Sequence, residues 1–284
     1  MLKRPDAAPQ RRWNLTQRIS NLRWLPVRHW FDLRDAMRLR VTVRDKADGH
    51  RYRFVADSLP AYQRGRHLLH KEPTTIRWLR ANLRPTDVFL DIGANVGTFS
   101  IFAGKHLSDQ GHVYACEPHL PTAVQLLQNI HANGLQERVS VVSIAASGED
   151  AFTPFRYRRW HSGASGSQLA VDGAPALNAP VGVELKCGLR VDTMIAQGAI
   201  RTPDLIKIDT DGIETQILSG MRDLLASKRP RSVLAEVPSA HYDDQVALMC
   251  ELGYGVAEKH VIGTWKRGMN DIACNVIYAP VDPK

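Results

Sequence analysis

The sequence predicts an α/β fold in which a mostly parallel sheet is covered by helices on both faces. Three observations predict it. The apolar run Val88-Phe89-Leu90 ends in Asp91 and a small-residue turn, Gly93 to Gly97, before helical periodicity begins at Thr98, which is how a buried parallel strand feeding a helix reads. Further short apolar runs at 112–116, 138–144 and 205–209 are separated by helical patterns, the alternation expected of parallel strands joined by crossovers. The 284 residues, 44% of them hydrophobic, suffice for one large core with a modest extra segment.

In chain order, residues 1–70 read as a basic extension with a small hairpin. Residues 1–53 hold 14 Lys or Arg against 5 Asp, a net of +9, whereas the remainder holds 23 against 24 acidic residues. The balanced body argues against a nucleic-acid binder and confines any attraction to polyanions or membranes to the extension. Leu15, Ile19 and Leu22 share one helical face, as do Trp30, Leu33 and Met37, with Pro26 between the stretches and arginines on the other faces. Such a segment suits peripheral contact with the inner membrane surface, although packing on the main domain is the simpler expectation. With no apolar run of about eighteen residues and no apolar signal core, the chain is expected to be cytoplasmic. Cys116, Cys187, Cys250 and Cys274 are widely spaced, so neither disulfides nor zinc are expected.

The hairpin is Arg40-Val-Thr-Val-Arg44 and Arg51-Tyr-Arg-Phe-Val55 around Asp48-Gly49. A helix over Pro73 to Leu83 ends before Pro85. After the strand at 88 and its glycine turn come a strand over His112 to Cys116, a helix from Pro121 that stops at Asn133-Gly134, and a strand over Arg138 to Ile144. Residues 152–182 read as an insertion, rich in Gly, Ser, Ala and Pro from 161 onward. In the strand Leu205 to Asp209, side-chain alternation puts Lys207 and Asp209 on one side and Ile206 and Ile208 on the other. A helix over Ala240 to Leu252 and strands over Tyr254 to Lys259 and Ile272 to Tyr278 complete the pattern.

The glycine turn reads as a nucleotide-cofactor cradle, since Gly93 and Gly97 let backbone approach a ligand and free N–H groups at the helix start would face it. It is a poor dinucleotide fingerprint, because Asn95 replaces the middle glycine of G-x-G-x-x-G and Asp91 precedes the loop. Asp91-x-Gly93-x-Asn95-x-Gly97, followed by Cys116-Glu117-Pro118 at the end of the next strand, is instead similar to the S-adenosylmethionine site of class I methyltransferases. That resemblance implies a cofactor site built from Asp91, Gly93, Ala94, Asn95, Gly97, Glu117, Pro118, Ala145 and Asp209. Glu117 would accept hydrogen bonds from both ribose hydroxyls. Asp91 would face the cationic amino-acid end, and the small residues around Ala145 would leave room for the adenine.

Downstream, Asp204-Leu-Ile-Lys-Ile-Asp-Thr-Asp-Gly-Ile-Glu214, Ile217-Leu-x-Gly220 and Arg231-Ser-Val-Leu-Ala-Glu-Val237 together resemble the FkbM family of methyltransferases. The resemblance spans roughly residues 70 to 280, including Lys71-Glu-Pro73 and Ser162-Gly-Ala-Ser-Gly-Ser-Gln-Leu169, and departs from the family at Asp211, where glutamate is more usual. It implies a Rossmann-like class I methyltransferase domain over residues 71–284, with a seven-stranded, mostly parallel sheet, helices on both faces and an antiparallel last strand. The implied activity is O-methylation of a hydroxyl on a sugar, polysaccharide, glycolipid or polyketide-type acceptor.

Methyl transfer to an alcohol needs the oxygen held in line at near-attack distance, and a general base adds ~10² to 10⁴-fold. Asp209 is the first candidate base, at the strand end where ligands bind in open α/β sheets. Lys207, on the same side, is a further catalytic candidate whose simpler reading is an ion pair with Asp209, and His241, after the fifth strand, is the second candidate base. Glu236 is an adjacent candidate. Asp209, Asp211, Glu214 and Glu236 could offer oxygens to Mg²⁺, but their spacing is not that of a calcium loop and no metal is expected. Phe155-Arg-Tyr-Arg-Arg-Trp-His161 places aromatic faces among cations, so Tyr157 and Trp160 are expected to form a lid on the acceptor. An NAD(P)-dependent oxidoreductase and a non-catalytic binding module are the alternatives.

Overall fold

The computed structural model describes residues 25–36, 38–171, 174, 177, 179–262 and 273–281. Contacts divide the chain into Met1–Leu39 and Arg40–Lys284. In the first unit, helix α1 (Leu25–Ala36) carries Pro26 in its first turn, where a missing N–H is tolerated. Trp30 and Leu33 are exposed on it. Leu15, Ile19, Leu22 and Met37 lie outside the described residues. No described helix is long and apolar enough to cross a membrane.

The second unit opens with strands β1 (Leu39–Arg44) and β2 (Arg51–Ala56), the hairpin read from the sequence. Helix α2 (Leu59–Arg66) follows, with Ser58 accepting the Ala61 N–H as its N-cap, then α3 (Pro73–Asn82), β3 (Val88–Ile92), α4 (Thr98–His106), β4 (His112–Cys116), α5 (Leu120–Ala132) and β5 (Val139–Val142). The insertion and the residues flanking it form four short strands, β6 (Ala145–Ala146), β7 (Ala151–Tyr157), β8 (Gln168–Leu169) and β9 (Gly182–Leu189). The chain then runs through α6 (Val191–Ala196), β10 (Leu205–Ile208), α7 (Glu214–Ser219), α8 (Arg222–Ala226), β11 (Ser232–Pro238), α9 (Tyr242–Glu251), β12 (Tyr254–Ile262) and β13 (Ala273–Pro280).

The main sheet has seven strands in the order β12-β13-β11-β10-β3-β4-β5. β3, β4, β5, β10 and β11 pair in parallel, while β13 runs antiparallel between β11 and β12. The chain reversal between β5 and β10 leaves the carboxyl ends of β3 and β10 side by side, the position where open α/β sheets bind ligands. Two apolar clusters cover the faces. One joins Ile92, Ile206 and Ile208 to the insertion and to α6–α8, and the other joins Phe89, Leu205 and Leu234 to the hairpin, α3, α4 and α5. The insertion's four-stranded sheet, β6-β9-β7-β8, was not legible as a sheet in the sequence, because its Gly/Ser-rich middle masks strand periodicity.

The hairpin is held by amides rather than by a third strand. Asn129 and Asn133 on α5 accept the Val55 and Arg53 N–H groups at 2.8 and 2.9 Å, and Asn133 returns a donor to the Arg53 carbonyl at 2.6 Å. Asn129 also donates to the Val96 carbonyl at 2.9 Å, linking the hairpin to the glycine turn. Replacing Asn129 with leucine removes partners from the Val55 N–H and the Val96 carbonyl, each worth about 1–3 kcal/mol when buried. The expected loss is about 2–4 kcal/mol in a urea melt, and an unchanged midpoint would show that apolar packing alone docks the hairpin.

Candidate active site

The site begins at the turn between β3 and α4. Gly93 has φ +77°, and a Cβ on it would stand 1.8 Å from the Asp209 carbonyl oxygen, so only glycine lets the ends of β3 and β10 approach. Asn95 is also left-handed at φ 52°. Within the turn itself the N–H groups bond to the protein. Those of Gly93 and Ala94 both donate to the Cys116 carbonyl at 3.0 Å, that of Gly97 to Ala94, and that of Val96 to the Asn95 side chain. The turn therefore shapes the site and holds its neighbours.

Its main achievement is to fix Glu117. One carboxylate oxygen accepts the Asn95 N–H at 2.8 Å and the other accepts the His119 N–H at 2.9 Å. Burial outweighs these bonds and pushes the carboxyl up to about 7. A carboxylate offers about four acceptor positions, so each oxygen keeps one in the cleft that Glu117 lines. That set of two spare acceptors on a rigid group fits a vicinal diol such as a ribose. His119 is itself fixed: it donates from Nε2 to the Arg159 carbonyl at 2.9 Å and caps α5 from Nδ1.

The cleft is lined by Ile92, Gly93, Asn95, Glu117, Pro118, Ala145 and Asp209, with Ala146, Phe155, Leu169 and Ile213 as its apolar wall. Residues 162–169 run across it as a strap. Ser162 bonds to Ser58 and Asp57, Gly163 and Ser165 take the Arg64 guanidinium at 2.8 and 2.6 Å, and Gly166 N–H donates to Asp211 at 2.6 Å. About 70 Å³ remains beneath it, well under the ~300 Å³ at which small-molecule pockets begin.

Asp91, expected in this cleft, turns elsewhere. It is fully buried, accepts from Ser100 at 2.6 Å, and leaves Oδ1 with no hydrogen bond, 3.8 Å from the Lys207 ammonium. Lys207 is Asp91's register partner across β10 and β3, so alternation puts both side chains on the face toward α4. There the ammonium also lies 5.1 Å from the Phe99 ring and 3.2 Å from Asp209 Oδ2. Burial alone would lower the Lys207 amine, but the charges of Asp209 and Asp91 keep it above its ordinary value. Burial likewise opposes ionisation of Asp209, and the cations of Lys207 and Arg64 overcome it, holding that carboxyl below the usual range. Glu236, on the same face by alternation along β11, responds in the opposite sense: burial and the charges of Asp209 and Glu72 push it up to about 8.

The other acids read as metal ligands are spent. Glu214 accepts from the Thr210 and Gly212 N–H groups at 2.9 and 3.0 Å, and Asp211 holds the strap. Among the described residues, the group of three ligand-type side chains that converges is Asp48, His50 and His106, at the far end of α4 from the glycine turn. His241 is exposed in a short 3₁₀ turn, Ser239–His241, and lines a separate cavity with Arg222, Asp244 and Glu251, so the structure does not bring it to Asp209. Tyr157 is buried against Phe155 and His119, with its hydroxyl on Glu184. It therefore offers no free ring face to an acceptor, whereas Trp160 is exposed. Sequence reading missed Arg64 and the Asp91–Lys207 pairing, since neither a lone helical arginine nor a cross-strand partner leaves a local motif.

The Methyltransferase FkbM domain matches residues 91–258, more than half of the chain. The chain belongs to the FkbM methyltransferase family. Among its curated FkbM-type relatives, it is 33% identical to the 31-O-demethyl-FK506 methyltransferase FkbM of Streptomyces tacrolimicus, over 60% of this chain and 73% of that protein. It is 26% identical to the hexuronic acid methyltransferase AglP of Haloferax volcanii, over 71% of this chain and 77% of that protein. Among solved structures, Trm5 of Methanocaldococcus jannaschii in complex with adenosine aligns at TM-score 0.48 and 13% identity, over 86% of this chain and 55% of that one. As an FkbM methyltransferase the protein is an enzyme, and its sheet is the class I arrangement with an antiparallel last strand.

Two acids of this FkbM site, Asp91 and Asp209, face the Lys207 ammonium. Lys207→Met leaves Asp91 buried without a counter-charge, and breaking one side of a buried pair costs about 3–5 kcal/mol. Denaturant melts should show that loss. A stability within about 1 kcal/mol of wild type would mean that Asp91 does not depend on the ammonium.

Proposed function

We propose that this enzyme binds S-adenosylmethionine in the cleft between the glycine turn and Ala145 and methylates a hydroxyl of a sugar or polyketide-type acceptor. The observation that carries this reading is Glu117, whose two oxygens are each anchored by one backbone N–H and keep one acceptor free. The ribose would take those positions, Asn95 and Pro118 would flank it, and Ala145 and Ala146 would face the adenine. Asp209 stands at the other end of the same cleft, where the methyl group would meet its acceptor. The relatives' names support the acceptor class, one acting on a hexuronic acid and the other on a demethylated FK506.

When bound, the cofactor supplies a sulfonium methyl open to attack by an oxygen nucleophile. Asp209, kept ionised by Lys207, accepts a hydrogen bond from the acceptor hydroxyl and aligns its lone pair. A carboxylate held so low is a weak proton acceptor, but its charge keeps the neighbouring Glu236 basic. The hydroxyl's one proton therefore leaves along its hydrogen bond to Asp209 and is drawn on to Glu236, the more basic of the two carboxylates. Asp91 works at one remove, by holding the Lys207 ammonium in the sheet.

Titration calorimetry with S-adenosylmethionine tests the cofactor assignment. Two hydrogen bonds to a charged acceptor are worth about 3 kcal/mol, so Glu117→Gln should weaken binding by about 100-fold in protein that a melting curve shows to be folded. Equal affinity of variant and wild type would remove Glu117 from the site.

The pH dependence has a defined sign. Donation by the ribose favours ionised Glu117, so binding releases a proton wherever the free carboxyl is protonated, and affinity should fall about tenfold from pH 8 to pH 6 around a value of about 7. A flat profile contradicts the ribose contact.

Turnover tests the acid pair. Asp209→Asn should lower kcat by ~10² to 10⁴ with cofactor affinity retained. The rise of kcat with pH, centred near 8 in the wild type by the Glu236 carboxyl, should move to lower pH in that variant, because the repelling charge is gone. Unchanged kcat would eliminate Asp209.

A further inference from the structure

A second cavity of about 450 Å³ lies beside the strap and shares Ala164 with the first. Arg64 and Lys71 line one wall, from α2 and the turn after it, and Arg158 and Arg159, just beyond β7, line the other. Four permanent cations thus face one hollow whose lining contains no carboxylate. Arg158, Arg159 and Lys71 are exposed, and His67 sits between them.

The nearest acids do not neutralise the hollow so much as connect it to the reacting end of the site. Lys71 lies 3.5 Å from Glu72, the Arg158 charge is felt by Asp211, and the Arg64 and Lys71 charges are both felt by Asp209. Arg64 is held in place by the strap, through Gly163 and Ser165, and the Arg158 guanidinium lies against Gly166, where a Cβ would stand 2.7 Å from its Nη1. Arginine guanidinium groups match carboxylate and phosphate oxygens in pairs. Lining a concave wall with one sign of charge also raises the local concentration of the opposite ion.

We propose that this hollow is the acceptor subsite and that it selects acceptors carrying an anionic group, a sugar carboxylate or a phosphate ester, which Arg158 and Arg159 grip while the hydroxyl reaches Asp209. The inference rests on the methyltransferase reading above and adds the charge of the substrate to it. The balanced charge of residues 54–284 suits recognition of one such group in a hollow better than tracking of a polyanion along a surface.

The test uses the full chain saturated with S-adenosylhomocysteine, and compares by calorimetry and saturation-transfer NMR the binding of D-glucuronate, glucose 6-phosphate and neutral methyl glucoside. At least one of the two anions should bind about tenfold tighter than the neutral sugar, as charge-assisted bonds to arginine imply, and which one does identifies carboxylate or phosphate as the group. Arg158→Gln/Arg159→Gln should abolish that preference while S-adenosylhomocysteine affinity changes less than about twofold. Three outcomes overturn the proposal: equal binding of neutral and anionic sugars, no binding of either anion by cofactor-saturated protein, or a preference that survives in the double variant. Failure of the wild type to bind S-adenosylhomocysteine would instead sink the underlying cofactor reading.

Discussion

An ammonium with almost no access to water sits in the middle of this sheet, and the site is arranged around it. Lys207 is stable there only because Asp91 faces it across the β3–β10 pairing and Asp209 faces it two residues along its own strand. An unpaired charge in that position would cost several kcal/mol, so the register of two central strands, the direction of Asp209 and the ionisation of that carboxylate are one constraint. The close approach at Gly93 serves the same end, since any side chain there would push the end of β3 off the Asp209 backbone.

Three carboxylates of this site show how surroundings divide the labour of one functional group. Glu117 is buried but anchored by backbone donors, Asp209 is beside cations, and Glu236 is beside anions. Their proton affinities separate accordingly, near neutrality, well below it and above it. Carboxyl groups of one kind are thus set apart by burial, backbone donors and neighbouring charge. The glycine turn contributes through position, because the N–H groups of Gly93, Ala94 and Asn95 are bonded to Cys116 and Glu117.

Much of the fold was legible because its signals are local. The strand over His112 to Cys116 and the helix from Pro73 coincide with the observed elements to within a residue, since apolar runs and proline stops act within a few positions. The glycine turn, Glu117 and the opposed faces of Lys207 and Ile208 were readable for the same reason. What was not readable depends on partners distant in sequence. Asp91 looks like a ligand until Lys207, 116 positions later, is seen across the sheet from it, and Tyr157 looks like a sugar platform until β9 and His119 cover it. The insertion's strands pair with one another over a Gly/Ser-rich span, where composition suggests a loop and only the β7–β9 pairing makes a sheet.

The two asparagines that dock the hairpin have a consequence beyond its position. A two-stranded sheet exposes two rows of unpaired backbone groups, and such rows template association with other chains. On β2 that row is closed by amide side chains from a helix, with Asn133 matching both the donor and the acceptor of Arg53 as a neighbouring strand would. The helix thus mimics a strand on that edge. The hairpin, set in the most basic part of the chain, has that border covered, and the cover comes from α5 and its C-cap rather than from the strand itself.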